Sequence, residues 1–284
     1  LHHEQQHQEL MLTDIKYNFG HNPLHPCYCK LRPEIAGRSG SPAAPSYTDY
    51  EGGIVEIGAG SGFAFDNETP RHPVLLQAFQ MADRVVTNGE YLSFIEDRGY
   101  ARPELWLSEG WSVVQGQGWQ APLYWQQRDG VWHEYRLDGC HELALHMPVT
   151  HVSGHEAFAF AQWAGARLPT EFEWEHAASS AAVDGHFVDA QYFHPQAAAD
   201  QAGAQQLYGD VWQWTASSYA PYPGYRPLPG ALGEYNGKFM SSQLVLRGAS
   251  CATPRSHARL SYRNFFYPPD RWQFTGIRLA KNVE

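Results

Sequence analysis

Arg167-Leu168-Pro169-Thr170-Glu171-Phe172-Glu173-Trp174-Glu175 is the segment from which the fold can be read. Thr170 followed three residues later by Glu173 has the spacing of a capping box, in which the two side chains and two backbone N–H groups satisfy one another. A helix over residues 170–179 is therefore expected. Upstream, residues 155–164 read as another helix, and so do residues 87–98, where Tyr91, Leu92, Phe94 and Ile95 supply the apolar positions. Residues 53–58 and 73–79 read as short strands. Downstream, Tyr208-Gly209-Asp210-Val211-Trp212-Gln213-Trp214-Thr215 and Val245-Leu246-Arg247-Gly248-Ala249-Ser250 stand out from a region of short pieces and turns. Little regular structure is expected after residue 200, and no internal repeat is found. Trp174, Trp212 and Trp214 are most economically core rings, and Arg167, Arg247 and Arg278 are expected as buried partners of carboxylates or carbonyls.

The chain has 284 residues, 43% of them hydrophobic, enough for one large domain or one domain plus a fragment of another. Its 26 Gly, 19 Pro and ten Trp predict many turns pinned by large rings. Twenty Lys and Arg against 30 Asp and Glu give a net charge of −10, which provides no attraction to nucleic acid or anionic lipid. No apolar run approaches the roughly 18–20 residues that span a bilayer, and no secretion signal opens the chain. A soluble, cytoplasmic protein is expected. Cys27, Cys29, Cys140 and Cys251 are too scattered for a disulfide framework or a zinc site and are expected as free thiols.

Residues 1–20 form a polar, helix-favouring stretch in which His3, His7, Leu10, Met11 and Asp14 share one stripe, expected to be the buried one. A lone helix has nothing to pack against, so this one is expected to be the last of a bundle. Residues 21–52, rich in Pro, Gly and Ser, read as a linker, and residues 53–284 as the main domain.

His3-Glu4-Gln5-Gln6-His7 places two imidazoles one helical turn apart, the spacing a single divalent metal takes from a helix. The plainer alternative is a His-rich helix start that binds nothing. The same five residues also satisfy the H-E-x-x-H pattern of zinc proteases, with Glu4 as general base. The extended form of that pattern fails, because Leu10 and Thr13 stand where a Gly and a third His would be. Imidazole ligation with open positions equally suits Fe(II) and oxygen chemistry.

The three segments built around Trp174, Trp212 and Arg247 resemble, in order and spacing, the signatures of formylglycine-generating-enzyme-like (sulfatase-modifying factor) domains, over about residues 53–280. The resemblance implies an α+β, C-type-lectin-like fold with much irregular structure. Formylglycine-generating enzymes act through a pair of cysteines near this C-terminal region, whereas Cys251 stands alone, so that activity is not expected.

Joined to a helix carrying His3-x3-His7-x-Glu9, such a domain resembles EgtB, the iron-dependent sulfoxide synthase family of ergothioneine biosynthesis, in which a DinB-like helical bundle precedes the lectin-like domain. The tail Tyr262-Arg263-Asn264-Phe265-Phe266-Tyr267-Pro268-Pro269-Asp270-Arg271-Trp272-Gln273-Phe274-Thr275-Gly276 is similar to that family's C-terminal segment. The resemblance implies O2-dependent C–S bond formation between hercynine (Nα-trimethylhistidine) and a cysteine-type thiol at an Fe(II) held by three histidines. His3 and His7 would be two of these, and the third would lie upstream; His21 and His25, in the linker, are poor substitutes. Gln6 matches a residue that contacts hercynine, and Asn264, Phe265 and Phe266 occupy the stretch that receives its trimethylammonium, for which aromatic faces are suited. Ordinary core packing is the alternative for the two Phe.

Phe266 stands where some members carry an acid for γ-glutamylcysteine, which makes free cysteine or another small donor plausible, while Arg271 is expected to grip a carboxylate or to form a surface ion pair. Tyr235 fits the outer of two family tyrosines and is the catalytic candidate, ordering water near the imidazole; Leu232 replaces the inner one. A selenosugar donor, giving selenoneine, would look almost the same in sequence. A zinc protease and a non-catalytic lectin-like binding module are the alternatives from other classes. Small molecules, with neither nucleic acid nor membrane, are the expected partners.

Overall fold

The computed structural model describes residues 1–30, 44–199, 203–230, 233 and 235–283. Helix α1 (His2–Gly20) comes first and buries Gln5, Glu9, Leu12, Thr13 and Lys16. This is a correction: the stripe of His3, His7, Met11 and Asp14 is exposed, and the buried stripe is the more polar one beside it. Each of its buried polar side chains makes at least one hydrogen bond. Gln5 Nε2 donates to Ser256 Oγ at 2.6 Å, and Lys16 Nζ lies 2.7 Å from His151 Nε2. Leu12 adds the apolar contact, packing with Leu137, Cys251, Ala252 and Phe274.

The expected linker ends earlier than residue 52, because strand β1 (Tyr47–Tyr50) is drawn from its last residues. Strands β2 (Gly53–Ile57) and β3 (His72–Leu76) pair antiparallel as a ribbon. The expected strand over residues 73–79 ends at Leu76 in β3, and only its last residue, Phe79, belongs to the next strand, β4 (Phe79–Ala82). Residues 99–154, for which no element is foreseen, hold helix α3 (Ser108–Gln117) and the antiparallel sheet β5 (Trp125–Arg128), β6 (Val131–Arg136) and β7 (Gly139–Glu142).

Helices α2 (Asn88–Glu96), α4 (Gly154–Trp163) and α5 (Glu171–Ala178) each start from a complete capping box, Thr87/Glu90, Ser153/Glu156 and Thr170/Glu173. Each box glutamate also holds an arginine: Glu90 pairs with Arg84, Glu156 with Arg271 and Glu173 with Arg167.

Beyond residue 180 the chain is more regular than expected. After the short parallel pair β8 (Gly185–His186) and β9 (Tyr208–Gly209) comes a four-stranded sheet of β10 (Trp212–Ser218), β11 (Leu244–Gly248), β12 (Asn264–Phe266) and β13 (Thr275–Gly276), ordered β12-β11-β10-β13. The last strand, β14 (Ala280–Asn282), pairs with β4, which also pairs with β1, so both ends of the domain close on one strand.

Trp174, Trp212 and Trp214 are fully buried, as expected, and each indole N–H is used: on Gln213 Oε1, Glu9 Oε1 and the Val152 carbonyl. Arg247 pairs with Glu171 and Glu175, Arg263 with Glu171, and Arg278 donates to the Gln213 side chain and to the Ala82 carbonyl. No described helix is long and apolar enough to cross a membrane, and all four cysteines are free thiols.

Candidate functional site

Glu9 fixes the first two turns of α1 against the domain. Its carboxyl is buried and accepts from Trp212 Nε1 at 2.8 Å, Ser250 Oγ at 2.6 Å and Thr253 Oγ1 at 2.9 Å. Burial pushes its pKa up, and the three hydrogen bonds oppose that rise. With Glu9 anchored, Gln6 one turn earlier faces the same body. Its Nε2 donates to Tyr262 Oη at 2.6 Å, while its Oε1 accepts from Tyr235 Oη at 2.9 Å. Both ends of the amide are thereby used, which fixes its orientation. The loop carrying Tyr235 is tied down in turn by Asn236 Nδ2, which donates to Asp66 Oδ1 at 2.7 Å. Burial raises the Tyr235 pKa, so the phenol keeps its proton.

The exposed stripe of α1 presents His3 and His7, whose Nε2 atoms lie 3.3 Å apart; the His3 ring also meets the edge of Tyr235 at a centroid distance of 5.0 Å. Two nitrogens at that separation suit adjacent ligand positions on one metal, since bonds of about 2.1 Å subtending roughly 100° span the same gap. Among the described residues no group of three His, Cys, Asp or Glu is placed to hold a metal. The pair therefore fits part of a ligand set. His21 lies beyond the far end of α1, roughly 27 Å of helix from His3, and His25 is engaged with Arg128; neither joins it. Glu4 is exposed on the same helix.

Between α1 and the sheet lies a cavity of about 120 Å³. Gln6, Tyr235, Asn264, Phe265 and Phe266, five residues singled out in the sequence, all line it. Phe265 stacks on Tyr219 with centroids 4.1 Å apart, and Phe266 meets Trp272 edge-on. Arg271 is placed elsewhere. It lies over the Trp119 ring at 3.8 Å, donates to the Ala121 carbonyl at 2.9 Å and pairs with Glu156, so it is a packing residue against α4 and not part of the cavity wall. Leu232 lies outside the described residues.

Sequence reasoning missed Phe65, Asn67, Tyr262, Arg263 and Gln273, and assigned Trp212 to the core alone; all line the cavity. Tyr262, Arg263 and Gln273 sit inside the tail segment already singled out, so their neighbourhood was a signal. Phe65 and Asn67 belong to a loop after β2 that carries no marked pattern. Beside the cavity, His257 is buried between His2 and Arg259, and desolvation pulls its pKa down to about 3, keeping that imidazole neutral.

The profile of the sulfatase-modifying factor enzyme 1-like domain matches residues 38–201 and 193–283. Hercynine oxygenase from Mycolicibacterium smegmatis is 35% identical over 312 residues, covering 99% of this chain and 70% of that protein. The chain belongs to the hercynine oxygenase family. Ergothioneine biosynthesis protein 1 of Schizosaccharomyces pombe is 28% identical over 231 residues, covering 78% of this chain and 28% of that protein. Among solved structures, Treponema denticola variable protein 1 superposes with a TM-score of 0.55 at 16% identity, over 87% of this chain and 99% of that one, a likeness of fold alone. The alignment with the hercynine oxygenase spans α1 as well as the sulfatase-modifying factor-like domain, so the helix with His3, Gln6 and His7 is part of the family likeness.

Proposed function

We propose that this chain acts in ergothioneine biosynthesis as an iron-dependent oxygenase that joins the imidazole of hercynine to a small thiol and yields a sulfoxide. The observation that carries the reading is the convergence of Gln6, Tyr235, Asn264, Phe265 and Phe266 on one cavity next to the His3/His7 pair. In this reading α1 is the bundle helix that contributes two metal ligands, His3 and His7, and the remaining ligands come from outside the described residues. Iron, when bound there, would supply the activation of O2 and the binding of the thiol as thiolate.

The chain's own residues do the rest. Phe265 and Phe266 offer ring faces to the trimethylammonium, each well-placed ring being worth about 0.5–2 kcal/mol to a desolvated cation. Gln6, clamped between two phenols, orients the imidazole. Tyr235, held neutral by burial, keeps a proton within reach of that imidazole. The burial of Trp212 and Tyr262 beneath the site excludes bulk water, and holding both reactants in one small cavity removes much of the entropic cost of their union.

The reading is tested by anaerobic reconstitution with Fe(II), calorimetric titration with hercynine, and O2 consumption with cysteine, γ-glutamylcysteine and a selenosugar in turn. Hercynine binding, and O2 uptake that needs both hercynine and a donor, are expected. A protein that binds iron but not hercynine, and consumes no O2 with any donor, would overturn it. Uptake with the selenosugar alone would replace the thiol by a selenium donor.

A further inference from the structure

The metal-ligand pair meets a single oxidisable ring. His3 packs on His7 with ring centroids 4.5 Å apart and on the edge of Tyr235 at 5.0 Å, and among the described residues Tyr235 is the only ring outside the pair that meets either histidine. Its place is fixed at both ends. Tyr235 Oη donates to Gln6 Oε1 at 2.9 Å, and the next residue, Asn236, is buried and bonded to Asp66. Other rings on the cavity wall do not touch the pair: Phe65 is 6.5 Å from Tyr235, Tyr262 holds the opposite end of the Gln6 amide, and Trp212 packs beyond Tyr262 at 5.3 Å. The nearest ring is thus a phenol, which is far more easily oxidised than a phenyl ring because its oxygen feeds electron density to the two adjacent carbons.

Two imidazoles with open positions beside them suit Fe(II) and its reaction with O2. Resting on the iron site proposed above, we infer that Tyr235 is a self-modification site: when the iron-loaded chain meets O2 and a reductant with the cavity empty, one oxygen atom enters the ring beside the phenol and turns Tyr235 into a catechol. The ring C–H becomes C–OH, and the second oxygen atom leaves as water. The two electrons and two protons that this requires come from a reductant such as ascorbate, or from two thiols that close to a disulfide. The edge-on contact with His3 selects this ring, and the hydrogen bond to Gln6 keeps it from turning away. Tyr235 also lines the cavity, so the modified residue would stand on the wall that receives the substrate.

The test is peptide mass spectrometry on the full chain, reconstituted anaerobically with Fe(II), its iron content measured, and then exposed to isotopically labelled O2 with ascorbate and catalase and without hercynine. Catalase removes free peroxide, so the label reports oxidation at the bound metal. The Tyr235 peptide is expected to gain one labelled oxygen, at least tenfold more often than any other aromatic peptide. Zn(II) in place of Fe(II) should give none. His7→Ala, a change on the exposed face of α1, should lower the label on Tyr235 at least tenfold, in step with bound iron. Label spread over the exposed Met11 and Cys27 instead, equal label with zinc, or no label on Tyr235 in a chain that does hold iron would overturn the inference and leave the proposed function standing. A wild-type chain that takes up no iron would count against the proposed function, and the inference would fall with it.

Discussion

At the scale of single residues, two buried polar groups on α1 lead to separate expectations. Glu9 gathers donors from Trp212, Ser250 and Thr253. Glu9→Leu strands all three, and with a cost of about 1–3 kcal/mol for each buried donor left unpaired, partly relieved by relaxation, a loss of roughly 2–4 kcal/mol in urea unfolding is expected. A loss under 1 kcal/mol would mean that α1 is not anchored through this carboxyl. Lys16 is buried against the rings of Tyr124 and Phe274, and desolvation lowers its pKa to about 8. The unfolded chain keeps that proton up to roughly pH 10.4, so the folded state binds fewer protons between those values and gains stability as pH rises. Below pH 8 both states are charged and the burial cost is felt in full. Burial raises the Cys251 thiol in the folded state, and this pulls the opposite way at alkaline pH. The comparison with Lys16→Met isolates the amine: the stability difference between variant and wild type should shrink from pH 7.5 to 9.5, and parallel pH profiles would contradict it.

At the scale of elements, the capping box shows why helix α5 was legible, whereas α2 was read from its apolar positions and the boxes that open α2 and α4 went unread. A Thr or Ser and a Glu three residues on are a local signal whose geometry is complete within one turn. What the local pattern does not reveal is that each Glu is two-sided, turning its other oxygen to an arginine from a neighbouring segment. Thr170→Ala should therefore cost about 1 kcal/mol, the usual value of an N-cap. Glu173→Ala should cost more, because it also strips Arg167 of its carboxylate; thermal melts that rank the two in the opposite order would refute this division. The pair of β10 with β13 escaped sequence reading because partners far apart in the chain leave no local mark; the hairpin of β5 with β6 does carry one, the Asp129-Gly130 turn with both residues at positive φ, and went unread.

At the scale of the whole molecule, α1 joins a metal-ligand pair to the wall of a cavity formed by the main domain. Because His3 and His7 are exposed, His3→Ala and His7→Ala should change unfolding stability by less than about 0.5 kcal/mol. Iron bound per chain after reconstitution should nevertheless fall at least tenfold, and unchanged iron content would remove these residues from the ligand set. The sequence by itself determined the presence of α1, the helices α2, α4 and α5 with the cap of α5, the buried tryptophans, the buried Arg247 and Arg278, and the tail whose Asn264, Phe265 and Phe266 reach the cavity; Arg167, expected to be buried as well, is partly exposed. These are set by local spacing or by apolar bulk. Which face of α1 is buried, where Arg271 points, and the contact of Tyr235 with His3 were decided only by tertiary structure. A polar side chain is buried or exposed according to the partner that meets it, and for Gln5, Glu9 and Asn67 those partners lie about 150 to 250 residues away in the chain.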